Sequence, residues 1–187
     1  LIKSSYRKEK PSYMNLKLLE KTEIQQWLKT IPFSHFITVE PNAAYPFRRD
    51  EVEQRMRKVE FRLNKKYLKS SWSTWDAYQR FWMVGFQEGT GIETHFHLML
   101  YTPEVLNRPL KFSQKNVSWD LFLFWMNEGR FNPMNGKKVP FKPLDIRKVE
   151  DVTASTIYSS KWLSRIDSAD SYFFTTPPKT TFKKLAA

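Results

Sequence analysis

Two histidines stand one residue apart inside an apolar run, Thr94-His95-Phe96-His97-Leu98-Met99-Leu100. On a β-strand, successive side chains point to opposite faces. His95 and His97 then share one face, and Phe96, Leu98 and Leu100 point to the other, into a core. Alternate residues on one strand are roughly 6–7 Å apart, close enough for two imidazoles to grip one metal ion. A third ligand is available from either of two carboxylates. Glu93 lies on the histidine face by simple alternation. Glu88 lies there only if the numbers of paired residues on the two strands sum to an odd value, as in 88 opposite 93. A slip of one residue puts Gln87 there instead. The third histidine, His35, stands alone at the start of an apolar strand and is expected to be structural.

The charge pattern supports a metal. Between Phe81 and Asn107 there is no Lys or Arg, in a chain that is about one-sixth basic. A hard divalent cation is repelled by nearby ammonium groups and favoured by carboxylate and imidazole. The ion expected is Mg²⁺ or Mn²⁺.

A second constellation is Tyr158-Ser159-Ser160-Lys161. If it is helical, Tyr158 and Lys161 share a face at i and i+3, and Arg165 extends it. A phenol beside a cation or a metal can act as a nucleophile, because the neighbour favours the phenolate. The competing reading is an amphipathic packing pair.

These residues need a scaffold. Phe81–Glu88 reads as a strand, Gly89-Thr90-Gly91 as a turn, and Glu93–Tyr101 as the returning strand. His35–Glu40 reads as an earlier strand ended by Pro41. Thr22 with Gln25 suggests a capping box opening a helix that Pro32 stops. Asp50 with Glu53 suggests a second helix start. Behind it Val52, Met56, Val59, Leu63 and Tyr67 mark one apolar face. Residues 48–70 carry nine Lys or Arg against four Asp or Glu. From this region Arg48, Arg49, Arg55, Lys58, Arg62, Lys65 and Lys66, with Arg165 further on, are the candidate phosphate contacts. Trp119–Glu128 is apolar nearly all round, which fits a buried helix or a partner surface. Leu144–Val149 reads as a strand, and Asp151 opens a helix through Arg165. The order implies an α+β fold with a mainly antiparallel sheet. Residues 1–20 are expected to be a basic arm, 21–167 the functional domain, and 168–187 a tail or linker.

Composition sets the outer limits. The chain has 187 residues and a formal net charge of +12. That favours a polyanionic partner, nucleic acid first. With no cysteine, disulfides, thiolate zinc sites and cysteine nucleophiles are excluded. No run approaches the length of a membrane span, so no transmembrane helix is expected; an acidic membrane surface ranks second to nucleic acid, and no membrane is expected among the partners. The N-terminus has cations but no apolar core of a signal peptide. The first residue is Leu1, as expected of a fragment or a processed form. Gly136-Lys137 lacks the upstream glycine of a phosphate-binding Walker A loop, with Phe131 in its place. No helicase activity is expected from these residues.

Taken together, His95-Phe96-His97 resembles the metal motif of the HUH single-strand endonucleases. Tyr158-Ser159-Ser160-Lys161 resembles the Y-x-x-K motif of their replication-initiator (Rep) branch, and Phe36-Ile37-Thr38-Val39-Glu40-Pro41 resembles the first motif of that branch. The three lie in family order across residues 36–161. Three departures are the aromatic Phe96 between the histidines, the helix before the first motif, and the long 102–143 connection. The resemblance implies a five-stranded antiparallel sheet with flanking helices, RRM-like or ferredoxin-like. It implies Glu88 as third ligand beside His95 and His97, Tyr158 as nucleophile and Lys161 as its cation. The implied activity is metal-dependent nicking and joining of single-stranded DNA through a 5′-phosphotyrosine. The implied substrate is a replication origin that can include a hairpin, inside a bacterial cytoplasm or a host nucleus. Rival expectations are a transposase or relaxase of the same superfamily, a non-catalytic RNA- or DNA-binding sheet using Trp72, Trp75 and Tyr78, and an assembly protein that self-associates through the 119–126 helix.

Overall fold

The computed structural model describes residues 13–40, 48–68, 70–89, 94–104, 114–127, 130–131, 138–139, 143–161, 163 and 172–176. Its elements run in the order α1 (Tyr13–Lys29), β1 (Phe33–Val39), α2 (Arg49–Leu68), β2 (Trp82–Glu88), β3 (His95–Tyr101), α3 (Gln114–Asn127), β4 (Arg130–Phe131), β5 (Lys138–Val139), β6 (Asp145–Lys148), α4 (Val152–Ser159) and β7 (Tyr172–Phe174). Two short 3₁₀ turns lie between α2 and β2. Five strands form one antiparallel sheet in the order β6-β1-β3-β2-β7. Without the edge strand β7, the path β1-α2-β2-β3-α3-β6 is the ferredoxin-like plan, and the class is α+β. Strands β4 and β5 pair separately.

Alternation along β3 divides the core in two. Phe96, Leu98 and Leu100 join Val52, Met56, Val59 and Leu63 of α2 and Val117, Leu121 and Trp125 of α3. Met99 and Tyr101 join Trp82, Val84 and Phe86 of β2 and Ile24 and Leu28 of α1, with Val152 of α4 packed against them. The molecule is therefore layered: α2 and α3 on one face of the sheet, α1 and α4 on the other. His95 and His97 belong to the α1/α4 face.

Several local expectations shift. Helix α1 starts at Tyr13, inside the expected arm, so Thr22 and Gln25 lie mid-helix rather than at a cap. The start of α2 is held two residues earlier than Asp50: the Arg48 backbone N–H donates to Glu51 Oε2 at 3.3 Å. Glu51 therefore does what a capping-box carboxylate does. Helix α4 opens as expected, with Asp151 accepting from the Ala154 N–H, but it stops at Ser159. Helix α3 buries Val117, Leu121 and Trp125 while Trp119 and Leu123 remain exposed.

The expected tail contains β7, a working edge strand. Helix α2 holds it: Arg49 Nη2 donates to the Tyr172 carbonyl at 2.7 Å, Arg57 Nη2 to the Phe174 carbonyl at 3.3 Å, and Thr176 Oγ1 to Glu60 Oε1 at 2.6 Å. Nothing in the local pattern of Tyr172-Phe173-Phe174 distinguishes such a strand from a polar tail containing three aromatics. On β2, Gly85 sits beneath the Phe173 ring, which explains the absence of a side chain there.

Candidate metal centre

Hairpin register decides which carboxylate meets the histidines. Strand β2 pairs with β3 as Trp82 with Tyr101, Phe86 with His97, and Glu88 with His95. These sums are odd, so Glu88 shares the histidine face and Gln87 does not. Glu88 Oε2 lies 2.7 Å from His97 Nε2 and 3.2 Å from His95 Nε2. One ligand atom from each of the three residues falls within 4.8 Å of the others. That is a compact O/N/N donor set suited to one divalent ion. Glu93, the competing carboxylate, lies outside the described residues.

The set has an outer shell. His97 is buried, and its Nδ1 faces Thr38 Oγ1 at 3.3 Å. Thr38 arrives from β1 by pairing opposite His97. A hydroxyl can donate or accept, so it suits either tautomer and orients the ring for ligation through Nε2. Burial pushes the His97 pKa below the ordinary imidazole value, against the opposing pull of the Glu88 carboxylate. The neutral form, which binds metal, is thereby favoured.

Tyr158 and Lys161 reach the same place from α4. The Tyr158 ring is half exposed and meets His97 edge-on, with centroids 5.0 Å apart, and Phe36 at 5.9 Å. Lys161 Nζ stands 4.3 Å from the centre of the Tyr158 ring and 2.5 Å from Glu88 Oε1. Its pKa is raised, chiefly by the hydrogen bond to Glu88 and also by Tyr158. Lys161 lies in the turn after the helix, where its N–H bonds the Tyr158 carbonyl at 3.4 Å. The expectation of a helix through this residue is therefore corrected, although the i, i+3 juxtaposition survives. The cation-free window is also corrected: it holds in sequence but not in space, because Lys161 enters it from elsewhere in the chain.

The two serines between Tyr158 and Lys161 are anchors. Both are buried. Ser159 Oγ contacts Met99 Sδ at 3.4 Å on the sheet, and Ser160 Oγ accepts from Gln25 Nε2 of α1 at 2.7 Å. Lys21 Nζ, also of α1, donates to the Lys161 carbonyl at 3.2 Å. The helix preceding the first motif thus seats the tyrosine segment. Small side chains at 159 and 160 let α4 lie close to the sheet while Tyr158 and Lys161 face outward.

The expected phosphate contacts are not gathered here. Arg55, Lys58, Arg62, Lys65 and Lys66 ride on α2, in the layer across the sheet from the cluster. Lys66 pairs with Asp120 at 2.6 Å, and Arg62 stands over the Phe124 ring at 5.9 Å. Arg48 pairs with Asp50 at 3.2 Å, and Arg49 is engaged with β7. Arg165 lies outside the described residues. His35 is buried and points away from the cluster, its Nδ1 2.8 Å from Ser34 Oγ, as expected of a structural histidine.

The residues that sequence reasoning missed are Thr38 and Arg147. Arg147 lies opposite Phe36 on β6, on the face of the site. Its guanidinium is held by Asp145 at 2.7 Å, and Asp145 first, then Tyr158, favour its charged form. Strand alternation alone could have flagged Thr38 as a polar residue in an apolar strand, but pairing with His97 needed the fold. Trp72 and Trp75 pack against the core, so of the three aromatics considered for base stacking only Tyr78 is exposed. Helices α1 and α4 cover the sheet face that an RRM-type module leaves open for bases. No helix among the described residues is long and apolar enough to cross a membrane. Comparison of the chain with protein-family models, curated proteins and solved structures finds no match.

Proposed function

We propose that the protein is a metal-dependent enzyme that nicks and rejoins single-stranded DNA, with Tyr158 as nucleophile, in the manner of the Rep branch of the HUH endonucleases that its motifs resemble. The observation that carries the reading is the convergence of Glu88, His95, His97, Tyr158 and Lys161 at one end of one sheet face. A phenol and a dication site on the same surface can together carry out phosphoryl transfer to tyrosine. Glu88, His95 and His97 would hold Mg²⁺ or Mn²⁺. When bound, such an ion supplies Lewis-acid polarisation of a non-bridging phosphate oxygen.

The chain's own residues carry the rest. Tyr158 Oη attacks phosphorus in line and loses its proton to solvent. The new bond is Tyr158 Oη–P, and the bond that breaks is P–O3′. The departing O3′ takes a proton from solvent and becomes a free 3′-hydroxyl. Lys161, over the tyrosine ring, stabilises the phenolate and the charge of the transition state. The phosphotyrosine ester keeps the phosphodiester energy, so attack by a 3′-hydroxyl rejoins the strand. Thr38 and the burial of His97 keep the imidazole neutral and oriented. Arg147, at the rim beside Tyr158, is placed to meet a flanking phosphate.

The test is incubation with labelled single-stranded oligonucleotides and Mn²⁺, scored for a protein–DNA band that survives SDS. Tyr158→Phe should remove the band while leaving Mn²⁺ and DNA binding nearly unchanged. Lys161→Ala should slow its formation without abolishing it. An SDS-stable adduct in Tyr158→Phe would sink the assignment.

A further inference from the structure

Phe61 is anomalous on α2. Its ring is 51% exposed, whereas Val52, Met56, Val59 and Leu63 of the same helix are fully buried. One helical turn away, at i±3 and i±4, stand Arg57, Lys58, Lys65 and the buried Asn64. Three of these four neighbours are cations and none is a carboxylate. Phe61, Gln54, Arg57, Lys58 and Arg62 line an open, largely apolar depression of about 540 Å³. The ring is steadied by Trp72, which meets it edge-on at 5.5 Å and itself packs against the core.

A large apolar side chain left in water forfeits the free energy of burial. Protein–protein interfaces deplete lysine at their cores, and here Lys58 and Lys65 flank the aromatic. An exposed, steadied ring flanked by cations matches a different partner. A base stacks on the ring, and the phosphates on either side meet the cations. Arg57 pairs with Glu53 at 2.7 Å and also holds β7, so it is left out of the contacts proposed below.

We propose that the outward strip of α2 is a single-stranded nucleic-acid platform separate from the metal centre, in which Phe61 stacks an unpaired base and Lys58, Arg62 and Lys65 meet neighbouring phosphates. The sheet lies between this strip and Glu88, His95 and His97, so the strand it holds is a different segment from the one at Tyr158. The inference stands on α2 alone and does not depend on Tyr158 being a nucleophile.

The experiment is photo-crosslinking to a bromodeoxyuridine-substituted oligodeoxythymidylate in the absence of metal, with the crosslinked peptide mapped by mass spectrometry. The adduct should fall on α2. Phe61→Ala should raise the oligonucleotide concentration for half-maximal crosslinking to α2 about five- to hundredfold, the range expected when one stacked base loses its ring. Phe61→Trp should preserve it. Joint Lys58→Gln and Arg62→Gln substitution should flatten the salt dependence of this crosslink by about 0.7 in log–log slope for each phosphate that is no longer neutralised. A duplex of equal length should compete poorly. The proposal is overturned if crosslinks map only to the α1/α4 face. It is equally overturned if Phe61→Ala, with an unchanged melting temperature, crosslinks to α2 like the parent protein, or if duplex competes as well as single strand.

Discussion

Lys161 Nζ and Glu88 Oε1 lie 2.5 Å apart, while the other oxygen of the same carboxylate faces both histidines. Glu88 is thus shared between a cation delivered by the end of α4 and two imidazoles delivered by β3. The shared carboxylate couples the tyrosine's cation to the metal donors.

That sharing predicts that Lys161→Met tightens Mn²⁺ binding, by roughly two- to tenfold, because removing a partly exposed ammonium frees an oxygen and removes repulsion. Calorimetry should show one site in both proteins, and none in His97→Ala. Affinity should fall as pH drops through the folded His97 pKa, which burial holds below 6.5. Unchanged affinity in Lys161→Met would mean that the ion pair does not compete with metal.

Thr38→Val should weaken Mn²⁺ binding about ten- to hundredfold, the usual effect of losing a hydrogen bond to a ligating histidine. Valine matches threonine in shape and favours strands, so the melting temperature should barely move. Thr38→Ser should retain most of the affinity. If Thr38→Val binds metal normally, the 3.3 Å approach of Thr38 Oγ1 to His97 Nδ1 has no orienting role.

Gly85→Ala tests the seat of β7. A Cβ at this position would overlap the Phe173 ring at Cζ, inside any permitted approach. The ring is buried in the core, so it cannot swing into solvent without loss. The expected destabilisation is about 1–3 kcal/mol, as for overpacked cores, read by denaturant unfolding. Phe173→Leu in the same protein should recover part of it.

Glu60→Gln should alter stability in a pH-dependent way. Burial raises the Glu60 pKa above 4.5, against hydrogen bonds from Thr175 and Thr176 and the charges of Arg80 and Arg57. Above pH 4.5 the folded state therefore holds this proton more firmly than the unfolded chain, and stability falls as pH rises through the folded pKa. Glutamine removes the buried charge and can still accept from Thr176. Thermal melts should show Glu60→Gln gaining on the parent protein toward about pH 8 and losing that advantage toward about pH 4. His97 acts with the opposite sign: its depressed pKa costs stability as pH falls below 6.5. An advantage that stays flat across pH would rule out titration of Glu60 as its source.

Alternation along Thr94–Tyr101 and the spacing of Val52, Met56, Val59 and Leu63 are legible in the sequence by itself. Periods of about two and 3.6 are properties of the backbone, and each side chain's face follows from its position alone. The sharing of one face by His95 and His97, and the helix start at Asp151, belong to this kind. Glu88 faces the histidines only under odd-sum pairing, a property of two strands together, which the partnership of Glu88 with His95 fixes. Lys161 looked like the second member of a helical pair, yet it lies beyond the helix and spans to β2. Tyr172–Phe174 looked like tail and became a sheet edge, because α2 supplies two arginines and a buried carboxyl to hold it. The basic residues of α2 looked like partners of the metal motif and lie across the sheet from it. Local patterns dictate which way a side chain faces within its own element. Only packing between elements decides which face of the sheet a helix covers and which distant side chains meet, since burying both apolar faces of the sheet at once is a condition on the whole chain.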